Sequence, residues 1–318
     1  MKHLLTTLSV LATLTLPAWG AAPPNNDPSD AAGNTAGGTH ALQATTYGSH
    51  STAYGRDALA ASTGGYVNTA FGNSALMTTT TSQENTAVGI DAMLYTTMGS
   101  GNTAVGAWSM LNNTIGADNT AVGDSAMGLN TTGARNTAVG FGALFANSGG
   151  QSNVALGYHA LEKGTTLWNN VAVGEAALAE TTIGANNTAV GKSALVSNTS
   201  GIENTAIGSG ALQSAKGSYS IALGTLAGSR VLGGFSNIDI GNRGMPADTR
   251  TIRIGKDQTK TFIAGISGQP VIGDVVVIDS TGKLGTTSRN LDAMAAQLAA
   301  QQLQIADLNE RLLKLESK

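Results

Sequence analysis

None of the 318 residues is cysteine, so the chain can form neither a disulfide nor a thiolate metal site. Aromatic residues make up 4% and charged residues 12%. Large side chains are too scarce for a thick globular core, and any buried space must be thin and repetitive. The formal charge of -3, with no clustering of Lys and Arg, excludes the electrostatic footprint of a nucleic-acid partner. The longest apolar run, over residues 4–16, is too short to span a bilayer as a permanent helix.

What the chain does have is glycine, at 42 positions, and a period. From Gly38 the anchors fall at Gly55, Gly72, Gly89, Gly106, Gly123, Gly140, Gly157, Gly174, Gly191 and Gly208, always 17 residues apart, then at Gly224 after 16 and Gly241 after 17. In its cleanest form the repeated word is Asn85-Thr86-Ala87-Val88-Gly89. A fixed period over some 200 residues means one small unit stacked thirteen times.

Counted from the anchor glycine as zero, position -1 is a large apolar residue in every unit after the first, and position -2 is Ala in all but the last, where Asp239 stands. Position -3 is Thr, Val or Ile, and position -4 is Asn except at Ser51 and Ser220. Four such residues predict a short strand with -1 and -3 on one face and -2 and -4 on the other. Both faces lack charge apart from Asp239, so both are expected to be covered. The expectation is Val toward the roll interior and Ala toward partner chains. Ala at +3, Leu or Met at +4 and a second glycine near +10 predict a turn, a second short strand and another turn, with positive φ at both glycine corners. Aligned Asn and Thr are expected to form side-chain ladders. A helical solenoid is excluded by the short period, and a calcium-binding β-helix by the absence of periodic Asp.

The flanks differ. Residues 1–20, with Lys2, an apolar run and small residues Ala18 and Gly20, read as a signal peptide, and residues 21–33, with Pro23, Pro24 and Pro28, as a disordered leader. Residues 34–241 form the repeat domain. Residues 242–288 read as a β neck with strands at 250–255, 261–265 and 275–279. Residues 289–318 carry heptads: Leu291, Leu298, Ile305 and Leu312 at a, and Met294, Gln301, Leu308 and Leu315 at d. They predict a coiled coil for self-association.

The Asn-Thr-Ala-Val-Gly units, each with Ala-Leu three residues on, resemble the head repeats of trimeric autotransporter adhesins and of related tail-fibre-like proteins. That resemblance covers residues 34–241 and implies a left-handed parallel β-roll in a side-by-side homotrimer. Ile252-Arg253-Ile254-Gly255, with the segments after it, is similar to the region preceding the self-cleaving chaperone domain of endosialidase-type tail fibres. Neither that chaperone domain nor the outer-membrane barrel of the adhesins is seen in this sequence.

The expected fold is therefore all-β, a parallel β-roll of 17-residue repeats with a small β neck and a C-terminal helical coiled coil. No catalytic, cofactor-binding or metal site is nominated, because His3, His40, His50 and His159 share no ligand spacing and the carboxylates Asp57, Asp91, Asp124, Glu162 and Glu175 lie at variable positions. The expected function is non-enzymatic: an exported fibrous, adhesin-like homotrimer, secreted, surface-held or periplasmic, without an integral membrane anchor. It would present positions +5 to +9 to a surface, glycan or host protein. Two alternatives stand beside it. An ice- or mineral-binding solenoid requires the Thr column from Thr69 to Thr137 to face solvent. A tailspike hydrolase requires paired carboxylates, for instance Asp91 and Asp124 in one column. Trp108, Trp168, Tyr95 and Tyr158 are the candidates for a sugar-stacking patch.

Overall fold

The computed structural model describes residues 32–259, 276–278, 284–286 and 291–316. The segment read as a signal peptide, the expected leader up to residue 31 and the expected strand at 261–265 lie outside these residues. Each repeat contributes one three-residue strand, from β1 (Thr35–Gly37) through β5 (Thr103–Val105) and β8 (Val154–Leu156) to β12 (Ile221–Leu223) and β13 (Ile238–Ile240). All pair in parallel with their sequence neighbours, and equivalent positions face one another: Thr103 pairs with Thr120, and Ala104 with Ala121. The result is a parallel β-solenoid of about thirteen turns. One more strand joins it. β14 (Ile252–Ile254), expected in the neck, pairs parallel with β13 and makes the sheet fourteen-stranded.

The strand faces are the reverse of the expectation. Ala at -2 is fully buried from Ala53 to Ala222, whereas Val at -1 is exposed or half-exposed and Thr at -3 is half-buried. The core is Ala at -2, Ala at +3 and the Leu or Met at +4, including Leu76, Met110, Leu144 and Leu195. A 17-residue coil is narrow: with a Leu or Met entering from the far wall, only a methyl group fits on the strand side. Close packing decides the choice of face.

The second half of each coil is a chain of turns rather than a second strand. The reason is backbone geometry. Trp108 and Met110, at +2 and +4, lie at φ 53 and 48, and Asp118, five residues before the next anchor, at φ 58. Comparable left-handed residues recur through the stack, each costing roughly 1–2 kcal/mol for a non-glycine residue. Packing and coil-to-coil bonds offset that cost. Met110 N donates to Ala126 O at 2.9 Å in the next coil, and Trp108 N to Ile90 O at 3.0 Å in the previous one.

The two glycine corners also differ. The anchor glycines do have positive φ, 136 at Gly123. The +10 glycines do not; they are required by close approach, since a Cβ on Gly99 would come within 2.5 Å of Gly116 O.

The Asn column at -4 forms the expected ladder but, sharing the face of Ala at -2, it is buried along the inside of the stack. Asn119 donates from its backbone N and from Nδ2 to Asn102 Oδ1, both at 3.0 Å, and from Nδ2 to Gly133 O at 2.8 Å. Its own Oδ1 serves Asn136 in the same way. Where Ser replaces Asn, the hydroxyl substitutes: Asn68 N donates to Ser51 Oγ and Asn237 N to Ser220 Oγ, both at 3.2 Å. Every buried amide in the column thus finds a partner in the adjoining coil.

Residues 258–318 form a second compact unit. It contains the antiparallel pair β15 (Val276–Ile278) and β16 (Leu284–Thr286), and the helix α1 (Leu291–Glu316).

Candidate interaction surface

The outward columns are built by the same arithmetic as the core. With -2 and -4 inside, -1 and -3 must point out. Position -1 therefore forms an uninterrupted apolar column on the outer face of the sheet, running Tyr54, Phe71, Val88, Val105, Val122, Val139 and on to Leu223 and Ile240. Tyr54 and Phe71 stack in it with ring centroids 5.2 Å apart. Beside it, Thr52, Thr69, Thr86, Thr103, Thr120, Thr137, Thr188 and Thr205 stand half-buried, and their hydroxyls make no hydrogen bond among the described residues. Among the described residues no charged side chain enters either column: Asp239 points inward, Arg253 is its register partner, and Ile252 and Ile254 continue the outward columns on β14.

A second hydroxyl column was not foreseen. At +8, Thr46, Thr63, Thr80, Thr97, Thr114, Thr131, Ser148, Thr165 and Thr182 each donate to the carbonyl of the equivalent residue one coil on, Thr97 Oγ1 to Thr114 O at 3.0 Å for example. Position +7 is buried in almost every coil, as at Thr79, Asn113, Asn130 and Asn147. The segment expected to be a variable outward loop thus contains two frame positions, and only +5, +6 and +9 are free to vary outward. The run of hydroxyls at +8 stands in the sequence from Thr46 to Thr199, but its meaning depends on knowing that this position faces the next coil's carbonyl.

The residues considered for chemistry do not converge. Asp91 lies at +2 and Asp124 at +1, in different columns two coils apart. Asp57 pairs with His40 at 2.8 Å and with Arg56, Glu175 with Lys192 at 2.9 Å, and Asp124 accepts from Ser125 Oγ at 2.6 Å. Trp108, Trp168, Tyr95 and Tyr158 occupy four columns, +2, +11, +6 and +1. The aromatic cluster that does form is a different one: Phe141 and Tyr158 stack at 5.5 Å, with His159 edge-on to Tyr158 at 4.0 Å and 3.1 Å from Glu162. Among the described residues no group of three His, Cys, Asp or Glu side chains stands together in metal-ligating fashion, and no helix is long and apolar enough to cross a membrane.

The heptad positions are on α1. Leu298, Ile305, Leu308, Leu312 and Leu315 are exposed, as is Gln301. Neither a family model, nor a curated protein, nor a solved structure matches the chain.

Proposed function

We propose that this protein is a non-enzymatic, exported, fibrous rod of the trimeric adhesin-head type. In this reading it self-associates side by side through the outer Thr/Val face of its solenoid and holds variable columns outward to a surface, glycan or host protein. The observation that carries it is the apolar column at -1. Scattered apolar residues are ordinary on a monomer, but a stripe continuous along the whole sheet marks a contact surface. Its occupant is another copy of the chain, because only a second stack has the same strand spacing, about 4.8 Å, and can match the column coil for coil over its length. The exposed heptad leucines of α1 support the same association as a coiled coil. The threefold order, the left-handed winding and the tail-fibre or adhesin kinship rest on the repeat motif's resemblance.

The test is sedimentation equilibrium of residues 21–318. The expected result is a trimer, and a monomer overturns the reading. Val105→Lys with Val122→Lys should give a monomer with unchanged far-UV dichroism, because these side chains leave the core untouched.

One observation favours the ice- or mineral-binding reading as a second choice. The Thr column it requires does face outward, with hydroxyls free to bond ordered water. Sealed in a dry interface without partners, each would cost roughly 1–3 kcal/mol. A monomer showing thermal hysteresis would favour this reading, and a monomer without it would remove ice binding.

A further inference from the structure

We propose that Asp239 is a proton-operated latch on the C-terminal end of the solenoid, closed when its carboxyl is protonated and loosened when it is ionised. The inference stands apart from the oligomeric reading. Asp239 occupies the -2 column that is Ala in every earlier coil, and it points inward with 1% exposure. Its Oδ2 is buried without a hydrogen-bond partner among the described residues.

The space it fills exists because the core ends there. The +4 position, Leu or Met in the preceding coils, becomes Gly228, where a Cβ would lie 3.1 Å from Asp239 Oδ2; one on Gly244 would lie 3.2 Å from Oδ1. Two charged groups face it. Arg253, its register partner on β14, is already committed to Asp248, through Nε to Oδ2 at 2.6 Å and Nη2 to Oδ1 at 2.7 Å. Asp248 is the other, and it repels a second anion. The remaining neighbours, Ala222 on β12 with Leu212 and Val231 behind the two glycines, bring no titratable group.

Burial, then Asp248, pushes the Asp239 carboxyl up from 3.8 to about 6. The folded end therefore binds a proton that the opened end releases, so its stability is full below 3.8 and is lost as pH rises through 6. Asp248 has the opposite sign: the hydrogen bonds from Arg253 hold its carboxyl below the ordinary value.

Hydrogen exchange on the full chain tests the latch. The reporters are the amides of Ile238, Gly241, Arg250 and Gly255, which bond across the last coils. After correction for intrinsic rates, their opening constant should rise roughly tenfold from pH 5 to pH 7, while amides near Met110 stay flat. Asp239→Asn should abolish the rise, and Asp239→Ala, restoring the column's usual residue, should give slow exchange at both pH values. A flat profile in the natural chain, or a rise that survives either substitution, overturns the proposal.

Discussion

Gly123 shows how strictly one residue is held. A Cβ there would meet Gly140 O at 2.6 Å and its carbonyl carbon at 2.7 Å, at a φ of +136. Neither contact is the movable end of a side chain, and the backbone it strikes is fixed by the bond from Gly140 N to Val122 O at 2.8 Å. Gly123→Ala should therefore cost about 2–4 kcal/mol from strain and overpacking, measured as a lowered midpoint in urea. A substitution at +9, such as Thr132→Ala, should change it by less than about 0.5 kcal/mol.

A single coil can break the sequence rule and still obey the packing rule. The coil after Gly157 has Gly164 at +7, where the three coils before it have Asn, and Leu167 at +10, where they have glycine. Leu167 is fully buried, and its side chain fills the space a Cβ on Gly164 would claim. Large and small have changed places within one coil, and the interior stays filled. Leu167→Gly alone should leave a cavity costing roughly 2–5 kcal/mol. Gly164→Asn alone should clash with Leu167. The double substitution recreates the pattern of Asn147 and Gly150, so the two changes should couple by at least about 1 kcal/mol in a denaturation double-mutant cycle.

Taken whole, the solenoid is close to a one-dimensional chain of like units, each bonded to the coils on either side. Removing residues 107–123 takes out one full period and joins Gly106 to Asp124, which keeps both the Asn ladder and the anchor column in register. Such a deletion should fold, lose about the stability of one unit and its interface, and shorten the stack by about 4.8 Å. Scattering profiles and dichroism would check it. Removal of only eight residues should not fold the same way, because the inside and outside columns on the two sides of the cut would no longer align.

The sequence by itself determined the period, the parallel register, the Asn ladder and the heptads. Each of these is written as identity at a fixed spacing, and stacking converts spacing directly into neighbours. It also contained the +8 hydroxyls and the swap at Gly164 and Leu167, which become readable only once those positions are known to face ladder and core. Tertiary structure decided which side of the strand is inside. Alternation divides Ala and Asn from Val and Thr, but it assigns no face; the narrow lumen does, because Leu or Met from the opposite wall leaves room for Ala alone. The left-handed turns at Trp108 and Met110 were likewise hidden, since non-glycine residues adopt them only when neighbouring coils hold them there. With Ala inside, the Val column is left as an exposed apolar stripe on the outer face of the sheet, the feature on which the proposed self-association rests.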